Sequence, residues 1–312
     1  MKNQVPVVFI CDRGYVMQTA VAISSLIAAK DAETGLRVHV VSYGLEPAQE
    51  RELLGLAREG VQIRLVGGDG AFDESSFSVG ESRYRVATKA ALLKFYLPEL
   101  LPELDRVLYL DGDIIVCRDL SALAALELGG DLAAAVRDLP QVFYEKQLLG
   151  ESRDYFNSGV MLLNLRQMRA EGLTEVLVEA KRAWPDDKLM DQNVLNRVMA
   201  GRVRQLPWFY NVCYANLRRR WRRERMAGKI GAAYGAQIRS LRQIRREAAI
   251  IHYSSGEKPW KYFDIPAGGA WMRAYRQLPA AAPLHRKSWQ LREKTNKIKA
   301  ILSRAFRGGS ES

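Results

Sequence analysis

Strand-length apolar runs alternate with helical stretches along the first third of the chain. Val5 to Cys11 (VPVVFIC) is a continuous apolar run that predicts a buried strand, and Met17 to Ala29 predicts an apolar-faced helix. Leu36 to Ser42 predicts a second strand and Val61 to Val66 a third. Between them, Pro47 to Arg58 predicts a helix with its proline near the start, where a missing N–H costs little. Alternation of this kind predicts an α/β fold: βαβ units building a mostly parallel, Rossmann-like sheet with helices on both faces. Gly67 to Arg83 breaks the rhythm with glycine, serine and acids and predicts a long loop. Tyr84 to Leu97 predicts a helix ended near Pro98 and Pro102, and Arg106 to Leu110 a short strand that runs into Asp111-Gly112-Asp113. Further strands are expected at Ala133 to Val136, Val160 to Asn164 and Ala249 to Tyr253, with helices at Glu175 to Ala183 and Asp187 to Met199.

Composition narrows the class without naming a function. With 48% apolar and 26% charged residues over 312 positions, the chain has the make-up of a globular protein. Cys11, Cys117 and Cys213 form no closely spaced pair, so neither a disulfide scaffold nor a zinc ribbon is expected, and a reducing compartment fits better. The first apolar run is strand-sized and stopped by Asp12 and Arg13, so no secretory signal is expected. No apolar stretch reaches the roughly 18 residues of a membrane span. These features predict a protein that is soluble or attached to a surface.

The net charge of +12 changes that picture, because it is concentrated. Asn216 to Glu247 holds eleven basic residues and two acids; Leu284 to Arg307 holds eight basic residues and one acid, leaving the rest mildly acidic. In the second window Leu291, Ile298, Ile301, Leu302, Ala305 and Phe306 fall near one helical stripe among Lys and Arg. A basic amphipathic helix of this form can lie on an anionic membrane, or dock on its own domain with a solvated basic face. Nucleic acid is the weaker expectation, since no RNA- or DNA-binding motif accompanies the charge.

Candidate chemistry gathers at strand ends, where open α/β sheets bind ligands. Asp12 follows the first strand, Asp111 and Asp113 follow RVLYL, and His252 follows AAII. On an extended backbone, carboxylates two apart project to one side, and Gly112 between them leaves the main chain open to a ligand. Two oxygen donors and an imidazole suit a divalent ion such as Mn2+, with positions left for a diphosphate. Lys258, six residues after His252, could set a cation against a metal-bound phosphate. Asp-x-Asp alone is a weak signal, but the competing motifs (GxGxxG, the P-loop, HExxH, GxSxG) are all missing.

Taken in order, these segments resemble the retaining glycosyltransferases of family 8, the group of bacterial lipopolysaccharide and lipooligosaccharide galactosyl- and glucosyltransferases. The resemblance spans roughly residues 5–265. VVFICDRGY looks like the family's opening strand, where Asp12 and Tyr15 match base-binding positions. ALLKFYLPELLPELDRVLYLDGDIIV is similar to its most diagnostic block, in which Asp111 and Asp113 match metal-binding acids and Asp111 also faces the donor. DYFNSGVMLLNL supplies Asn157 near the donor sugar, MDQNVLN supplies Asp191 and Gln192 at the sugar and its reacting face, and Asp138 in AAVRDLP matches a sugar-binding acid. IIHYSSGEKPW supplies the third metal ligand, His252, and a phosphate-binding lysine, Lys258. Two positions depart from the pattern. Lys94 stands where an arginine that contacts the donor is common, so it is expected to bind the donor with the charge kept and the bidentate fork lost, and Ser255 stands where a glycine is usual.

The resemblance implies a GT-A-type fold over residues 1–265 with a basic tail over 266–312. It implies Mn2+ or Mg2+ as cofactor, a UDP-hexose donor (galactose or glucose), and a saccharide or glycolipid acceptor such as lipopolysaccharide core. It implies retention, by double displacement on Gln192 or by front-face attack, with Asp138, Asp191 and Gln192 around the reacting sugar. Front-face attack is preferred because a neutral amide is a poor nucleophile. Asp138 to Tyr155 and Gly67 to Arg83 are expected to act as lids. The tail predicts a cytoplasmic protein held at the inner face of the cytoplasmic membrane. The rival expectation is a catalytically idle binder of RNA or another polyanion on the same fold.

Overall fold

A computed structural model describes residues 4–72, 89–139, 155–184, 191–213, 228, 231–279, 284–288 and 295. The first strand, β1 (Gln4–Asp12), shows why an unbroken apolar run was to be expected. Val5, Val7, Phe9 and Cys11 enter one core layer and Val8 enters the other, so both faces of the strand are covered. Truncating Phe9, which is fully buried, would cost about 3–5 kcal/mol. β1 is followed by α1 (Val16–Ala29), β2 (Gly35–Tyr43), α2 (Pro47–Leu54) and β3 (Val61–Gly67). α2 opens with a capping box between Glu46 and Gln49 and has proline at its start. It ends at Leu54, short of the expected Arg58, because Arg58 pairs with Val61 to turn the chain into β3.

The next described segment, Lys89–Tyr96, is a 3-10 helix. Pro98 does not terminate it. Instead it stands within the first turn of α3 (Leu97–Leu100), where no intrahelical N–H is required. There follow β4 (Val107–Leu110), β5 (Ile114–Val116), α4 (Ser121–Ala124), β6 (Ala133–Arg137) and β7 (Phe156–Leu163). β7 begins four residues before the expected Val160, because Asn157, Ser158 and Gly159 interrupt the apolar pattern while remaining in the strand. α5 (Leu165–Ala170), α6 (Leu173–Ala183), α7 (Asp191–Val198), β8 (Val203–Gln205), a second 3-10 helix (Trp208–Tyr210), β9 (Val212–Cys213), α8 (Leu241–Glu247), β10 (Ile250–His252) and α9 (Gly268–Tyr275) complete the described elements. β5, β8 and β9 are too short to leave a periodic signal and were not anticipated.

The strands form two sheets. The larger runs β3-β2-β1-β4-β7-β6-β8, parallel except where β7 lies antiparallel to β4 and β6. The smaller runs β5-β10-β9. One core layer packs α1 and α9 against the larger sheet and continues under the smaller one; the other packs the 3-10 helix, α3, α5, α6 and α7 on the opposite face. Packed structure runs past residue 265, since Trp271 of α9 is fully buried. Among the described residues no helix is long and apolar enough to cross a membrane. The stripe from Leu291 to Phe306, most of Asn216 to Ile230 and most of both expected lids lie outside the described residues.

Candidate active site

The site is built at the seam between the two sheets. β4 ends at Leu110; the chain then turns through Asp111-Gly112-Asp113 and enters the smaller sheet as β5, whose first residue, Ile114, is paired with His252 at the end of β10. The segment is thus a turn, not the extended backbone expected from the sequence, yet both carboxylates still face the same imidazole. Two backbone bonds fix it. Asp111 N–H donates to the Gly159 carbonyl at 2.8 Å, and Tyr253 N–H donates to the Asp113 carbonyl at 2.9 Å. A side chain at Gly159 would drive into the His252 ring, and its Cβ would lie 2.5 Å from Asp111 Oδ2. Gly112 meets a different constraint from the one expected. A Cβ there would sit 2.8 Å from Thr19 Oγ1 and 3.1 Å from the Tyr15 ring, so the glycine admits α1 to the turn.

Donor atoms of Asp111, Asp113 and His252 lie within 4.8 Å of one another. His252 Nε2 is 3.1 Å from Asp113 Oδ1 and 3.6 Å from Asp111 Oδ2, while its Nδ1 faces Asn211 Oδ1 at 3.1 Å. Two carboxylates gathered beside one imidazole nitrogen, with the other nitrogen held by an amide, fit a divalent cation well. Without one, the charges pair among themselves. Burial opposes protonation of His252, but Asp113 outweighs it and holds the imidazole up at about 10. Burial likewise opposes the charged form of Asp113, and Lys258 and His252 overcome it, holding the carboxyl far below the usual range. Lys258 Nζ lies 2.5 Å from Asp113 Oδ2 and 2.6 Å from the Tyr253 carbonyl. Ser255, the departure from the family pattern, donates to Glu257 at 3.0 Å and so ties the loop before Lys258 together.

Lys94 is buried, and its ammonium donates to Asp191 Oδ2 at 2.7 Å and lies 3.4 Å from Asp111 Oδ1. Burial favours the neutral amine, but the two carboxylates outweigh it and raise its pKa. A lysine here works as a point charge between two acids, which needs no fork. Tyr109 donates to the same Asp111 Oδ1 at 2.6 Å.

A second group, of amides, lies beside this one. Gln192 Nε2 donates to Asp138 Oδ2 at 3.0 Å and to Tyr155 Oη at 3.0 Å. Gln192 Oε1 accepts from Asn157 Nδ2 at 3.2 Å and from Ser158 N–H at 3.1 Å. Asn157 also donates to Asp138 at 2.9 Å, and Ser158 Oγ donates to Asp191 at 2.9 Å. Asn211 Nδ2 donates to Asn157 Oδ1 at 2.8 Å, joining this group to the imidazole. On the opposite side, Asp12 closes the β1–α1 turn by accepting from Gly14 N–H at 2.9 Å, and Tyr15 stands at the start of α1. Burial pushes the Tyr15 phenol up, with Asp113, Asp111 and Asp12 adding to it, so it stays neutral.

Of the eleven residues singled out from the sequence, nine lie at or beside strand and helix ends, while Lys94 lies within the 3-10 helix Lys89–Tyr96 and Lys258 in the loop after β10. Sequence reasoning missed Tyr109, Tyr155, Ser158 and Asn211. The only available signal was that Tyr155 and Ser158 stand within two residues of Asn157 at the start of an apolar strand.

A two-sheet α/β domain with this seam defines a GT-A-fold glycosyltransferase. The chain belongs to glycosyl transferase family 8, which its residues 6–264 match. It is 26% identical over 262 residues to General stress protein A of Bacillus subtilis (strain 168), covering 81% of this chain and 86% of that one. It is 30% identical over 193 residues to Lipopolysaccharide 1,2-glucosyltransferase of Escherichia coli (strain K12), covering 58% of this chain and about half (52%) of that enzyme. Among solved structures it is similar to the galactosyltransferase LgtC in complex with donor and acceptor sugar analogues. The TM-score is 0.71 at 25% identity, over 89% of this chain and 98% of that one. No relative described here favours an idle RNA binder.

Proposed function

We propose that this enzyme transfers galactose or glucose from a UDP-sugar, with retention, to a saccharide acceptor of lipopolysaccharide core or another cell-surface glycan. The observation that carries the proposal is the seam itself: Asp111, Asp113 and His252 converge beside Lys258 on one side and the Asp138–Asn157–Asp191–Gln192 group on the other. Asp111, Asp113 and His252 would hold Mn2+ or Mg2+, and that cation would supply Lewis-acid stabilisation of negative charge on the departing diphosphate. Lys258 exchanges its bond to Asp113 for one to the diphosphate and offsets charge there as the glycosidic bond breaks. Asp12 and Tyr15 take the uridine. Lys94 keeps Asp111 and Asp191 aligned, and Asp191, Asp138 and Asn157 receive sugar hydroxyls.

The C1–O bond to the β-phosphate breaks with its electron pair going to the phosphate oxygen. The acceptor hydroxyl oxygen bonds to C1 from the same face, and its proton passes to that phosphate oxygen. Gln192 does not serve as nucleophile. Its Oε1 already accepts two hydrogen bonds, and a neutral amide is a weak nucleophile. It lines the face of the cationic sugar instead. The test pairs NMR of the product linkage with intact mass of the enzyme under turnover. An α-linked product with unmodified wild-type protein is expected; a hexose adduct on Gln192 of the wild type would overturn the front-face route.

Attachment to the inner face of the cytoplasmic membrane belongs to the same proposal. It is supported by the eight basic residues between Leu284 and Arg307 and their apolar stripe. Removing residues 284–312 is expected to release the protein from anionic vesicles while leaving turnover of a soluble acceptor intact. Undiminished vesicle binding would refute it.

A further inference from the structure

Residue 264 ends the stretch that matches the family, yet the helix beyond it, α9, reaches the donor side of the site by two routes. The first is a ladder of rings. Tyr15 meets Trp260 edge-on at 5.9 Å, Trp260 lies 5.5 Å from Trp271, and Trp271 stacks on Tyr275 at 5.2 Å. Lys258 Nζ sits 5.6 Å from the Trp260 ring. The second route is polar. Tyr253 follows His252 and is fully buried. Its N–H holds the Asp113 carbonyl at 2.9 Å, its carbonyl accepts from Lys258 at 2.6 Å, and its hydroxyl donates to the Ala267 carbonyl at 2.8 Å.

Ala267 precedes α9 and is the one non-glycine residue with positive φ among the described residues (φ 60°). A side chain disfavours that backbone, so surrounding contacts must hold it there. Trp271 is a second sign of constraint: it is fully buried, and its Nε1 finds no hydrogen-bond partner. An indole normally finds one when buried, so packing rather than polarity sets its position.

We propose that α9 is a brace for the donor-binding loop, with Tyr253 and Trp271 as positioning residues that set Lys258 and Tyr15 for the nucleoside diphosphate. The inference rests on the UDP-sugar reading above. Neither residue touches the donor in this account. Both act through the groups that do, so their loss weakens donor affinity and leaves the acceptor side alone.

The test is calorimetric binding of UDP with Mn2+, together with separate donor and acceptor KM values, for the full-length wild type, Tyr253→Phe and Trp271→Phe. Leu177→Ala, fully buried on the far core layer, controls for general destabilisation. Tyr253→Phe keeps the ring and removes only the hydroxyl, so it should fold even if the tryptophan variant does not. Both positioning variants should bind UDP about tenfold more weakly and raise donor KM in step. Acceptor KM should stay unchanged, and Leu177→Ala should melt earlier with wild-type UDP affinity. Tyr253→Phe with wild-type UDP affinity and donor KM would overturn the brace alone. A wild type that binds no UDP would overturn the donor assignment and the brace with it.

Discussion

The two halves of the site are built from different materials. On the metal side, Asp111, Asp113, His252 and Lys258 are charges that pair with one another within 2.5–3.6 Å. On the sugar side, Gln192 and Asn157 are neutral amides with donors and acceptors already engaged by Asp138, Ser158, Tyr155 and Asn211. A network of charges must re-pair when a cation and a diphosphate arrive, so it responds strongly to ligand. A satisfied amide network has nothing to gain by moving, so it serves as a rigid template. Chemistry and recognition are thereby given to neighbouring but distinct sets of atoms.

Substitutions can break or sharpen that division. Lys258→Ala should lower kcat by about 10²–10³, because it removes a positive charge placed where charge grows; a loss under tenfold would place leaving-group stabilisation elsewhere. Asn211→Ala, which frees the Nδ1 side of His252, should weaken Mn2+ binding about 10–100-fold in titrations. Because Asp113 holds His252 protonated up to about 10, loading the metal must expel that proton. Mn2+ affinity should therefore rise with pH across the neutral range and release a proton detectable by buffer-dependent calorimetry. A pH-independent affinity would mean that His252 is not a ligand. Gln192→Ala should have the smallest effect on the metal side, leaving Mn2+ affinity within about twofold, while transfer to acceptor falls roughly tenfold. A large loss of metal affinity in that variant would erase the distinction between the two halves.

Much of this was legible in the chain because the strands that carry the site are buried on both faces. VPVVFIC and RVLYL announce themselves as apolar runs, and the polar residues that end them stand out as candidates. His252 was visible for the same reason, at the end of a short apolar run. Asn211 was not, since it lies in a short polar stretch beside a two-residue strand and acts only through contacts with residues far away in sequence. Lys94 shows the same limit from another side. Its charge was readable, but its bridge between Asp111 and Asp191 depends on elements 17 and 97 residues apart in the chain. The smaller sheet as a unit escaped notice because only β10 was expected, and its partners β5 and β9 hold three and two residues, below the length at which periodicity appears.

The account turns on the seam between the sheets, and one assay tests it directly. Release of UDP from UDP-galactose and UDP-glucose would be followed with Mn2+, with EDTA, and in Asp113→Ala. Turnover of one donor that EDTA abolishes and the substitution lowers by about a thousandfold is the predicted result. Turnover that survives both EDTA and Asp113→Ala would contradict the central claim.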